Sequence, residues 1–156
     1  MDSSFLGFIP ARGGSKGILK KNITLLDGRP LIEYCIKASL SSNIFNKIIC
    51  STDDSSISEV ALNNGISVDL RSVSLSGDAI NVHDVVKEYL ERQSTVQDYI
   101  ALIQPTSPFL VPGQITSLAE KINFKKEFST AQTIFQVPHH FHAWNQRKIN
   151  GDQVEF

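Results

Sequence analysis

The chain has 156 residues, 41% hydrophobic and 20% charged, with a formal net charge of −1. That length suits one domain able to bury a substantial core, and the near-neutral charge excludes a generally nucleic-acid-binding surface. No run of about eighteen apolar residues occurs and no basic-then-apolar leader opens the chain, so neither a membrane span nor a secretion signal is expected, and a cytoplasmic protein fits.

Strands and helices are expected to alternate. Phe5 to Ile9 reads as a short apolar strand ending at Pro10. Pro30 can open a helix on which Leu31, Ile32, Cys35, Ile36 and Leu40 recur at helical spacing. Lys47 to Ser51 reads as a second strand. Asp54 or Ser55 can cap a helix bearing Ile57, Val60, Ala61 and Leu62, which stops near Gly65. Ser67 to Leu70 is a short third strand. Val82 to Gln93 places Val82, Val85, Val86, Tyr89 and Leu90 on one helical face, with Lys87 and Glu91 spaced to pair. Tyr99 to Ile103 is a near-continuous apolar run, as in a buried parallel strand. Ile115, Leu118, Ala119 and Ile122 mark another helix, and Ser129 to Val137 another strand. The alternation predicts an α/β fold: three layers, α/β/α, around a mostly parallel sheet. Ligands of such sheets bind beyond the carboxyl ends of the strands, near a topological switch.

The most specific chemistry follows the first strand. Residues 9 to 23 read Ile-Pro-Ala-Arg-Gly-Gly-Ser-Lys-Gly-Ile-Leu-Lys-Lys-Asn-Ile. Gly13, Gly14 and Gly17 can take left-handed angles and let an anion approach main-chain N–H groups. Ser15 adds a hydroxyl, and Arg12, Lys16, Lys20 and Lys21 add charge. Two unit charges about 4 Å apart interact by roughly 4 kcal/mol at an effective dielectric near 20, so a few cations hold a polyphosphate firmly. A solvated basic turn is the other reading of these residues. The spacing is neither a Walker A loop nor G-x-G-x-x-G.

The loop resembles the first signature of the CMP-sugar synthetases, cytidylyltransferases that activate sialic acid and related nonulosonic acids. Ile48 to Asp54, Ile-Ile-Cys-Ser-Thr-Asp-Asp, is similar to the family's second strand and turn. Leu102 to Pro108, Leu-Ile-Gln-Pro-Thr-Ser-Pro, is similar to its "LLQPTSP" loop. Arg71 to Asp84 is a weaker match to the region between. The resemblance implies a Rossmann-like fold of the nucleotide-diphospho-sugar transferase type, with CTP, a nonulosonic acid and Mg²⁺ as ligands. It implies Ala11, Arg12, Gly13, Gly14, Ser15, Lys16, Lys21, Asn22 and Arg71 at the nucleotide, with Lys21 and Arg12 stabilising charge at the α-phosphate. Gln104, Ser107, His140 and His142 would face the sugar. Asp53 would orient the loop, cap a helix or reach the metal through water, and Asp78 would lie near the base or sugar. The family's C-terminal part supplies a dimerisation element and a late pair of metal-linked aspartates; neither is visible before Phe156. A homodimer is therefore expected of the full-length family, and this chain is expected to be truncated or to have lost those parts.

Other features read more plainly. His139, His140 and His142 could be metal ligands, but no cysteine and no clear carboxylate completes a zinc site. Trp144 beside them could pack at the sugar or in the core. Cys35 and Cys50, both in apolar contexts, read as buried free thiols. Three functions stay open at this point: a cytidylyltransferase for a sialic-acid-like sugar, a related sugar nucleotidyltransferase with another base or acceptor, and an inactive nucleotide-binding fragment.

Overall fold

In the computed structural model, the described residues are 3–124 except 16, 78 and 96, together with 130–133, 148–150 and 153–155. In chain order they form β1 (Phe5–Pro10), a two-strand ribbon of β2 (Leu25–Leu26) and β3 (Arg29–Pro30), and α1 (Leu31–Ser42). β4 (Lys47–Thr52), α2 (Ser55–Asn63), β5 (Ser67–Leu70), α3 (Val82–Glu91), β6 (Tyr99–Leu102) and α4 (Pro112–Phe124) follow. A second ribbon joins β7 (Lys148–Asn150) to β8 (Gln153–Glu155). β5, β4, β1 and β6 lie side by side in that order, all parallel.

Side-chain alternation along β1 builds the layers. Leu6 and Phe8 point to one face and pack with Ile49 of β4 and Val85 and Tyr89 of α3. Ile9 and Ala11 join the opposite cluster with Cys50, Ile32, Cys35 and Ile36 of α1, and Ile57 and Ala61 of α2. α4 packs beside α1. Burying a side chain such as Leu6, Phe8 or Ile9 contributes about 1.5–3 kcal/mol each, so β1 is the centre of the core.

Helix ends follow local chemistry. Asp54 caps α2, its Oδ1 accepting from the N–H groups of Ser56 at 2.8 Å and Ile57 at 3.1 Å. Gly65, at φ 78°, lets the chain turn out of α2. Asn81 caps α3, accepting from the His83 N–H at 3.0 Å. Pro30 stands one residue before α1 and belongs to β3. Lys87 and Glu91 do approach, at 3.9 Å, but on an exposed face where such pairs contribute little.

Three expectations change. β6 is half-buried rather than buried, because it lies at the edge of the described sheet. Its run stops at Leu102, although the Ile103 N–H still donates to the Phe8 carbonyl at 2.9 Å. Residues 130–133 are not in a strand, and the rest of the segment expected from Ser129 to Val137 lies outside the described residues. The β2–β3 ribbon was not anticipated. It turns on Asp27 and Gly28, at φ 48° and 76°, a dipeptide whose paired left-handed angles suit a tight hairpin. The Tyr34 hydroxyl donates to the Leu26 carbonyl at 2.6 Å and ties the ribbon to α1. Among the described residues no helix is long and apolar enough to cross a membrane.

Candidate active site

From β1 the chain passes to β4 on one side, while β6 joins on the other. That reversal is the switch point at which open α/β sheets leave a crevice. A cavity of about 630 Å³ lies there. Arg12, Ser15, Lys21 and Asn22 line it from the segment after β1, Arg71 from that after β5, and Gln104, Pro105 and Thr106 from that after β6. Ile80, Val82 and Val85 form an apolar wall from α3 and its approach.

Strand register explains which charges meet. Pro10 pairs with Ser51, and Ser51 with Asp69. Two residues on, alternation puts Arg12, Asp53 and Arg71 in one row past the sheet edge, on the α3 side. The ladder runs on to support them: Ala11 N–H donates to the Ser51 carbonyl at 2.9 Å, and Arg71 N–H to that of Thr52 at 3.0 Å. The row reads cation, anion, cation. Arg71 is 9% exposed, and its Nε is buried without a hydrogen-bond partner. Burial lowers the pKa of its guanidinium, while the carboxylates of Asp53 and Asp69 oppose that shift. A buried donor left unpaired costs about 1–3 kcal/mol, which an anionic or carbonyl ligand in the cavity would relieve.

The basic loop is held by the turn after β4 and by one of its own residues. The Gly13 N–H donates to Asp53 Oδ1 at 2.9 Å. The buried Asn22 donates from Nδ2 to the Arg12 carbonyl at 2.9 Å, closing the loop on itself. Gly13 is needed for closeness: a Cβ there would lie 2.8 Å from the Cβ and Oδ2 of Asp54. Gly14 and Gly17 face open space. None of the three takes the left-handed angle that glycine permits; Lys20 does, at φ 51°, just before the short 3-10 turn Lys21–Ile23. The Lys20 carbonyl accepts from Ile23 N–H at 3.0 Å and Thr24 N–H at 3.1 Å, and these bonds hold that conformation and so set Lys21.

The structure thus brings Arg12, Ser15, Lys21, Asn22, Arg71 and Gln104 to one cavity. Ala11 is fully buried in the core, and Gly13 and Gly14 shape the loop rather than the wall. Ser107 does not line the cavity; its N–H closes a turn on the Gln104 carbonyl at 3.1 Å, and the adjacent Thr106 lines the wall instead. Asp53 orients the loop, while Asp54 caps the helix. Lys16, Asp78, His139, His140, His142 and Trp144 lie outside the described residues. The apolar wall of Ile80, Val82 and Val85 was missed as a site, because those valines read as ordinary core positions.

Among the described residues no group of three or more His, Cys, Asp or Glu side chains could hold a metal ion. Asp53 is already bonded to the loop. These residues do not fit a protein-built Mg²⁺ centre.

Comparison with known proteins gives the family and the fold. The chain is 40% identical over 144 residues to N-acylneuraminate cytidylyltransferase A of Danio rerio, covering 92% of this chain and 33% of that protein. It is 38% identical over 138 residues to pseudaminic acid cytidylyltransferase of Campylobacter jejuni, covering 85% and 60%. It is 41% identical over 119 residues to CMP-N,N'-diacetyllegionaminic acid synthase of Legionella pneumophila, covering 74% and 51%. The chain therefore spans between a third and three fifths of these relatives. In fold it is similar to CMP:2-keto-3-deoxy-manno-octonic acid synthetase complexed with CTP, at TM-score 0.68 and 19% identity over 80% of this chain and 49% of that one. It is also similar to 4-diphosphocytidyl-2C-methyl-D-erythritol synthase, at TM-score 0.65 and 14% identity over 99% and 67%. The three-layer parallel architecture is thus that of known nucleotidyltransferases. With the family model described as "Cytidylyltransferase" matching residues 6–151, the chain belongs to the cytidylyltransferase family.

Proposed function

We propose that the chain binds CTP in the switch-point cavity and transfers CMP to a sialic-acid-like nonulosonic acid, releasing pyrophosphate. The observation that carries this reading is that Arg12 and Arg71, the two cations of the row, open with Lys21 onto the same cavity as Gln104. The anomeric hydroxyl oxygen of the acid forms a bond to the α-phosphorus and gives up its proton to solvent. The bond from that phosphorus to the bridging oxygen breaks, and pyrophosphate leaves with its electron pair. Such a step is governed by positioning and charge stabilisation.

Arg12 and Lys21 are the catalytic pair in this reading, meeting the charge that develops around the α-phosphate. Ser15 and the main chain of the loop, with Lys16, receive the β- and γ-phosphates. Asn22 braces the loop at the ribose end through the Arg12 carbonyl. Arg71, below the apolar wall, offers its unpartnered Nε at the base end. Gln104 is assigned to the acid, together with His140 and His142 of the segment that the family resemblance puts beside the acceptor. The named relatives that act on nonulosonic acids support that acceptor class. Mg²⁺ belongs to the reading as the companion of the triphosphate, where it would offset phosphate charge. A homodimer and a cytoplasmic location belong to the same reading.

The test is pyrophosphate release from each of the four nucleoside triphosphates, with Mg²⁺ and a panel of nonulosonic acids. Release with CTP and at least one acid is expected. Equal release from UTP, or no calorimetric heat with CTP on folded protein, overturns the assignment.

A further inference from the structure

We propose that Asp69 is a positioning residue for the nucleobase end of the cavity, acting through Arg71 on one side and α3 on the other. This rests on the reading of the cavity as a cytidine nucleotide site.

Asp69 is a buried carboxylate, 7% exposed, in the middle of β5. A buried charge is costly unless partnered, and its two oxygens have partners on two different elements. Oδ2 accepts from Ser51 Oγ of β4 at 2.9 Å. Oδ1 accepts from an Arg92 NH2 group at the C-terminal cap of α3, also at 2.9 Å. Arg92 is in turn fixed by Glu88 at 2.8 Å and lies 5.9 Å from the centre of the Tyr89 ring. Tyr89 packs on Phe8 of β1, ring centres 5.4 Å apart. One carboxylate therefore pins the end of α3 to the sheet. The opening turn of the same helix carries Val82 and Val85, which wall the cavity.

Arg71 follows two residues after Asp69, on the same face, where the carboxylates of Asp69 and Asp53 both act on its charge. Asp69 does not line the cavity itself. Its influence on a ligand passes through the guanidinium beside it and the helix across from it. Ion pairs of this kind are weak evidence of stability, because an apolar side chain can often replace them without loss. Their use here is orientation: the tie sets how far the valine wall stands from the sheet face that carries Arg71.

The experiment is titration calorimetry of CTP and UTP against the unaltered chain, Asp69→Asn, Arg71→Met and the double variant, with thermal midpoints for each. Asp69→Asn is expected to weaken CTP by about fivefold to tenfold and to narrow its advantage over UTP. In the Arg71→Met background the same change is expected to cost less, because only the part carried through α3 remains. If Asp69→Asn fails to fold, Arg92→Gln, at a half-exposed position, takes its place in the same cycle and shifts affinity in the same direction. A lowered midpoint with CTP affinity unchanged would show Asp69 to be a brace for stability, and effects on affinity that simply add would show that it does not act through Arg71; either overturns the proposal. If the unaltered chain binds no CTP, the functional reading fails first and the proposal falls with it.

Discussion

The Asp53 carboxylate accepts the backbone N–H of Gly13 at 2.9 Å, so the turn after β4 holds the loop after β1. Next to it, Asp54 is committed to capping α2 through its Oδ1. A methyl group at position 13 would sit 2.8 Å from Asp54, which cannot swing aside without giving up that cap. Gly13→Ala is therefore expected to destabilise the chain by about 1–3 kcal/mol, as overpacking does. Gly14→Ala, which meets nothing within 4 Å, should change stability by less than about 0.5 kcal/mol. Urea titration of both variants checks this; equal losses would show that loop packing is not the reason for Gly13.

Asp54→Ala isolates the cap from the site. It removes the acceptor for two helix N–H groups and should cost about 1 kcal/mol. Asp53 keeps its bond to Gly13, so CTP affinity is expected to hold within about twofold. A large loss of affinity at small cost in stability would assign Asp54 to the ligand.

Lys21→Ala addresses chemistry. Lys21 is half-buried and begins a short turn whose backbone bonds do not involve its side chain. The fold should survive, and turnover should fall by about 10²- to 10³-fold, the usual effect of removing a donor to developing charge. Single-turnover pyrophosphate release measures it. An unchanged rate removes Lys21 from the α-phosphate.

Much of this was legible in the chain because periodicity and loop chemistry are local. Leu6, Phe8 and Ile9, the helical spacing of Ile32, Cys35 and Ile36, and the Asp54 cap all act within a few residues. The cluster of Arg12, Ser15, Lys21 and Asn22 needs only one loop. What sequence could not give is register. That Arg12, Asp53 and Arg71 form a row depends on Pro10 meeting Ser51 and Ser51 meeting Asp69. The same pairing turns Asp69, an unremarked strand residue, into the tie between the sheet and α3. The ribbon after the loop is different, because Asp27-Gly28 is itself a local hairpin signal.

Cys35 and Cys50 give a pH dependence whose sign is fixed. Both thiols are fully buried in the cluster between the sheet and the helices α1 and α2. Burial pushes each from the usual 9.0 up to about 12; each Cys35 or Cys50 thiolate would lack water, and for Cys35 the neighbouring Cys50 adds to the shift. In the unfolded chain the thiols ionise near the usual value, so above it the unfolded state binds fewer protons than the folded one. Stability is then complete below about pH 9 and falls as pH rises toward 12, by at most about 1.4 kcal/mol per pH unit for each thiol. Urea midpoints near pH 8 and near pH 10 should show the fall, and the double variant Cys35→Ala, Cys50→Ala, though less stable at both, should show a smaller one. Iodoacetamide at the lower pH should label neither thiol until urea unfolds the chain. Rapid labelling of the folded protein, or an equal fall in the double variant, would place the pH sensitivity elsewhere.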